Sequence, residues 1–141
     1  MKASVNKPMF EDTMKPDMQG ATSRSLAEEM VRILYQKGAR DLIMYEASEE
    51  ISLTDYHIIA TGRSSTHVKS LADDLEYEMG LRGVPARAME GRDSGAWVLV
   101  DYFSVIVHVF DEASRSYYNL ERLQNQEKLV DITALLPQEE E

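Results

Sequence analysis

The stretch "AWVLVDYFSVIVHVF", Ala96 to Phe110, constrains the fold most. Most of its residues are β-branched or aromatic and alternate with a period of two, which suits pleated strands. Two strands, 96–102 and 104–110, joined around Tyr102-Phe103-Ser104, form an antiparallel pair. Alternation puts Trp97, Leu99 and Asp101 on one face and Val98, Val100 and Tyr102 on the other. In the second strand Val105, Val107 and Val109 lie opposite Ile106, His108 and Phe110. The valine sets read as core beneath helices. The other set mixes large rings with an acid and an imidazole, which suits either a protein contact or a core with a satisfied histidine. Periodicity alone leaves both readings open.

The rest of the chain supplies elements to pack on these strands. Ser23 or Ser25 caps a first helix, with Leu26, Met30, Ile33 and Leu34 on one face and a stop at Lys37-Gly38. "DLIMYE" (Asp41–Glu46) and Tyr56–Thr61 read as strands. Val68, Leu71, Ala72, Leu75 and Met79 mark a second helix that ends at Gly80. A strand follows near Ala86–Glu90, behind Pro85, and Gly91–Gly95 is a turn. Asp111 caps a last helix through about Leu123. The expected class is α/β, a mixed five-stranded sheet with flanking helices in the order α-β-β-α-β-β-β-α. The strand-helix-strand unit at 56–90 implies a right-handed crossover and a parallel pair. Residues 1–22 read as a flexible arm, 23–124 as one α/β domain, and 125–141 as an extension with an acidic tail.

The chain has 141 residues, no cysteine, and 15 basic against 25 acidic residues, a net of −10. Disulfides and thiol chemistry are excluded. An acidic chain without a basic stripe repels a phosphate backbone and attracts a basic protein surface. No apolar run reaches membrane-spanning length. The N-terminus lacks an apolar signal core, and Glu11, Asp12 and Asp17 argue against a transit peptide, so a cytoplasmic location is expected.

"DYHIIATGRSSTHVKSLADDL" (Asp55–Leu75) joins a strand, a Gly-Ser loop and a helix start, where a phosphate can be held. Neither the Walker spacing nor the three-glycine fingerprint is present. The acid pair that would hold magnesium is also missing, since Asp101 stands alone in its strand, while Asp73 and Asp74 read as a solvated helix surface. The loop therefore reads as a capped turn, with Gly62 turning and Ser64 or Ser65 capping. A divergent nucleotidyltransferase or nucleotide-binding protein using Gly62, Ser64, Ser65 and Asp101 is the alternative. His57, His67 and His108 show no metal-ligand spacing. No cofactor and no metal are expected.

"SLTDYHIIATGRSSTHVKSLADDL", "EGRDSGAWVLVDY", "VIVHVF" and "YYNLERL" occur in this order and spacing. Together they resemble the ribosomal silencing factor family (Iojap/RsfS), over roughly Leu26 to Leu123. The resemblance implies a nucleotidyltransferase-like fold without enzymatic activity. It also implies binding to the large ribosomal subunit through its universal protein number fourteen, which blocks subunit joining and represses translation when nutrients are scarce. Little direct nucleic-acid contact is implied. The family's tryptophan falls on Trp97, its strand aspartate and aromatic on Asp101 and Tyr102, and its histidine on His108. Val98 and Leu99 join them as contact candidates. "LTDY" falls on Leu53–Tyr56, a loop placed either to contact the partner or to let Asp55 cap a turn, and the structural role is the one expected. The sequence departs from the family at Phe103, where glycine is usual, at His57, where an apolar or aromatic residue is usual, and at Gln124, where tryptophan is common. Exposed aromatics on an edge strand would also allow a homodimer.

Overall fold

A computed structural model describes residues 15–48, 53–123 and 128–137. The described chain runs α1 (Ser23–Gln36), β1 (Arg40–Glu46), β2 (Tyr56–Gly62), α2 (Ser65–Leu81), β3 (Ala88–Glu90), β4 (Trp97–Asp101), β5 (Val105–Asp111) and α3 (Glu112–Tyr118). Short 3-10 turns follow at Leu120–Leu123 and Thr133–Leu135. No helix among the described residues is long and apolar enough to cross a membrane.

Local chemistry sets the element ends. Thr22 caps α1, not Ser23 or Ser25: its backbone is extended and its hydroxyl accepts from the Ser25 N–H at 3.1 Å. Ser23 donates instead to the Asp55 carboxylate, which gives Asp55 a structural role. Ser64 caps α2 by accepting from the His67 N–H at 3.1 Å. That helix runs past Gly80 to Leu81, and the chain turns at Gly83, whose φ is +81°. Asn119 takes a left-handed φ of 48° and ends α3 at Tyr118, five residues short of the expected Leu123.

The sheet order is β1-β2-β5-β4-β3. β2 and β5 pair in parallel, and every other neighbour pair is antiparallel. The expected pairing of β2 with β3 is therefore corrected: β3 lies at the far edge, beside β4. Burial explains the choice. The last five residues of β2, Ile58 to Gly62, are all buried, as a central strand requires, whereas β3 has three partly or fully exposed residues and fits an edge. Trp97 sits on β4, inside the sheet, so an exposed aromatic edge strand is not what this region offers.

One face of the sheet carries α1 and α2. Met30, Val31 and Leu34 of α1 and Val68, Leu71, Leu75 and Met79 of α2 meet Met44, Ile58, Val98, Val100, Val105, Val107 and Val109, all fully buried. The valine sets are thus core, as alternation implies. The folded body reaches beyond residues 23–124. Met18 N–H donates to Arg82 O at 2.8 Å, so residues 15–22, expected as part of a flexible arm, lie against the α2 exit. At the other end Val130 N–H bonds Met44 O at 2.9 Å, and Ile132, Leu135 and Leu136 pack on the core. Gln124 lies outside the described residues.

Candidate functional site

Among the described residues, helical cover on the second face of the sheet comes from α3 and the turn after it, toward one end. There α3 and the following 3-10 turn bury a small cluster of Tyr45, Ile59 and Phe110, with Ile43, Trp97 and Leu120 against it. Trp97 stacks on Phe110 at 5.0 Å between ring centroids and leans on Tyr118 at 4.7 Å. Next along the sheet, in register, come His108 and Leu99 in one row and His57, Ile106 and Asp101 in the next. Leu99, Ile106, His57 and Asp101 are half-buried. Glu90, Gly91, Trp97 and Leu99 line a recess of about 270 Å³ at the β3 side.

A polar chain runs through this face. Trp97 Nε1–H donates to His108 Nδ1 at 3.2 Å, and His108 Nε2 lies 3.4 Å from His57 Nδ1. The two imidazoles are stacked 5.5 Å apart. Burial, then the neighbouring His57, pushes the His108 pKa down to about 4; burial also lowers that of His57. Both rings are therefore held neutral near pH 7.

The site residues expected from sequence divide. Trp97, Leu99, Asp101 and His108 share this face. Val98 and Tyr102 do not: Val98 is 0% and Tyr102 8% exposed, both in the helix-covered core. They are corrected from contact candidates to packing residues, because alternation turns them under the helices. The Tyr102 hydroxyl has no hydrogen-bond partner among the described residues, and its burial, then Glu76, raises its pKa. His108 is only 7% exposed and lies between Trp97 and His57. Asp101 Oδ1 accepts the Phe103 N–H at 2.7 Å and shapes the β4–β5 turn. Phe103 takes a φ of 70°, where a glycine would sit without strain, and Arg87 lies over its ring at 5.3 Å. His57 and Tyr118 join the face unannounced. Residues 57 and 108 meet only through the parallel pairing of β2 and β5, which short-range patterns do not reveal.

The Gly-Ser loop is closed on itself. A Cβ on Gly62 would lie 2.9 Å from Val68 Cγ2 and 3.0 Å from Val68 N, so glycine here permits close strand-to-helix packing. The Arg63 N–H donates to His67 Nδ1 at 2.9 Å, and His67 Nε2–H donates to Lys37 O at 3.1 Å. The 91–95 turn is clamped beside it by Arg92 on Asp73, at 2.9 and 2.6 Å, which holds the Asp73 pKa down. Asp73 is thus an anchor rather than only a solvated surface group. Asp101 cannot serve this loop. Gly62 pairs with Asp111, while Asp101 pairs with Ile106, five residues away and so about 17 Å along the sheet. The four residues of the nucleotide alternative therefore do not form one site. Among the described residues no group of three or more His, Cys, Asp or Glu is placed to hold a metal.

A wider recess of about 480 Å³ lies near Asp41, Thr61 and Arg115. Its one arginine is already engaged: Arg115 donates to Asp41 O, Thr61 Oγ1 and Glu121 Oε2 at 2.6, 2.7 and 2.9 Å.

Fold and face together define a small α/β protein with one sheet face under two long helices and, among the described residues, one that only the short α3 covers in part. The family model described as "Ribosomal silencing factor during starvation" matches residues 20–141. A Bacillus subtilis protein named ribosomal silencing factor RsfS is 36% identical over 96 residues, 68% of this chain and 81% of its own length. A mouse protein named "Mitochondrial assembly of ribosomal large subunit protein 1" is 31% identical, covering 67% of this chain and 42% of itself. A crystal structure of a Chromobacterium violaceum protein superposes with a TM-score of 0.70 at 35% identity, over 73% of this chain and 86% of that one. The chain belongs to the ribosomal silencing factor family.

Proposed function

We propose that the chain represses translation by docking its open sheet face on the large ribosomal subunit, where its bulk keeps the small subunit from joining. The docking partner in this reading is the universal ribosomal protein number fourteen, on the intersubunit face. The carrying observation is the half-buried Trp97, set beside Leu99 where the cover of α3 gives out, with His57 farther along the same face beyond His108. An aromatic anchor in an apolar patch with a few polar groups is what protein interfaces concentrate their binding energy in. The net charge of −10 suits a basic ribosomal protein. No catalytic step and no cofactor enter the reading, and the protein works in the cytoplasm with its ribosomes. The likeness of the scaffold to nucleotidyltransferases is, in this reading, one of shape only, because Asp101 and the Gly-Ser loop lie at opposite ends of the sheet.

Co-sedimentation with isolated large subunits tests the reading. The wild-type chain pellets with them at physiological salt, and a chain that stays in the supernatant overturns the proposal. Trp97→Ala loses at least ~2 kcal/mol of binding, more than tenfold, while its far-UV circular dichroism stays native. A rise in melting temperature with ATP, GTP or CTP plus magnesium would favour a nucleotide-binding protein instead.

A further inference from the structure

We propose that His57 decides which partner group the open face accepts: its Nε2–H is a donor that requires a backbone carbonyl of the docked protein opposite it. The proposal rests on the docking reading above. The argument follows the protons. An indole Nε1 only donates. Its 3.2 Å contact therefore makes His108 Nδ1 an acceptor, which leaves the proton of the neutral ring on Nε2. That Nε2–H faces His57 Nδ1, 3.4 Å away, a long hydrogen bond with one possible direction. His57 Nδ1 is then an acceptor as well, and the His57 proton resides on Nε2. Indole and both imidazoles thus form a chain of single polarity, and its last donor is on the half-buried ring that the open face presents.

Among the described residues, the groups around His57 leave that donor for a partner. In its row lie Tyr45 on β1, Ile106 on β5 and, beyond, Asp101 on β4. Tyr45 is buried against Ile59 and Phe110, and Asp101 is engaged with the Phe103 N–H. A basic protein attracted to this acidic chain brings cationic side chains, which cannot accept from His57. The acceptor that every residue of such a partner carries is its main-chain carbonyl, and the proposal commits to it.

Three variants in the full chain, bound to isolated large subunits, test this. His57→Phe keeps ring area but ends the donor chain, and binds about tenfold more weakly, since a docked carbonyl is left unpaired. His57→Gln restores an acceptor for His108 and an outward N–H, and binds within about threefold of wild type. Leu99→Ala, on the same face, reports on docking itself. If Leu99→Ala weakens binding but His57→Phe does not, the donor role is overturned and the docking reading stands. If neither weakens it, both fall. Nitrogen-15 NMR of the free protein gives a second readout: His57 protonated on Nε2 supports the chain of donors, and protonation on Nδ1 overturns it.

Discussion

Trp97 and Val98 are adjacent in the chain and meet different environments. Val98 is fully buried in the core beneath the helices. Trp97 points the other way, to rings, imidazoles and a face that one short helix covers at one end. The same pleat thus builds two unlike layers. The helix-covered layer carries stability through volume and dryness. The open layer holds its large side chains by directed contacts: an indole hydrogen bond, stacked rings and an Asx turn at Asp101. A face organised by directed contacts keeps its shape without being covered, which is what a docking surface needs.

Three measurements would break or sharpen this contrast. The largest effect belongs to the helix-covered layer: Leu71→Ala costs about 2–5 kcal/mol in urea unfolding, whereas Leu99→Ala costs less than about 1 kcal/mol. Equal costs would erase the distinction. Acid gives the next effect, and it belongs to the open layer. His108 titrates near 4 in the folded chain against an ordinary 6.5, so the unfolded chain takes up the proton first. Its contribution is complete above pH 6.5 and is lost as pH falls through the window down to about 4, to a total of about 3 kcal/mol. His108→Gln should flatten that part of the stability–pH curve. The smallest effect concerns the Gly-Ser loop. Gly62→Ala costs about 1–3 kcal/mol, because the new methyl meets the Val68 backbone. A neutral substitution would show that the loop has room and is not held by packing.

Sequence periodicity made the two layers legible before any pairing was known. The alternation from Trp97 to Phe110 placed the valines under the helices, and the apolar spacing in Leu26–Leu34 and Val68–Met79 marked what covers them. It also turned Val98 and Tyr102 inward, although the resemblance had drawn Tyr102 into the contact set and Val98 had been added beside it. Long-range pairing was not legible. That β2 joins β5 rather than β3 depends on which strand best fills a buried centre, and local patterns carry no information on that competition. The meeting of His57 with His108 hides behind the same ignorance. The docking of residues 128–136 onto α1 and β1 was missed because the segment is short, with no clear period to suggest an inward face.

The parallel pairing of β2 with β5 has a consequence for synthesis. Residues 63–104 separate the two central strands, so β2 leaves the translating ribosome well before its partner exists. At about 5–20 residues per second that interval is roughly 2–8 s. Until β5 arrives, one edge of the β1–β2 hairpin offers unpaired backbone groups at what will become the centre of the sheet. A nascent chain of this protein therefore passes through a stage in which a strand edge destined for the sheet interior is open to chaperones and to aggregation.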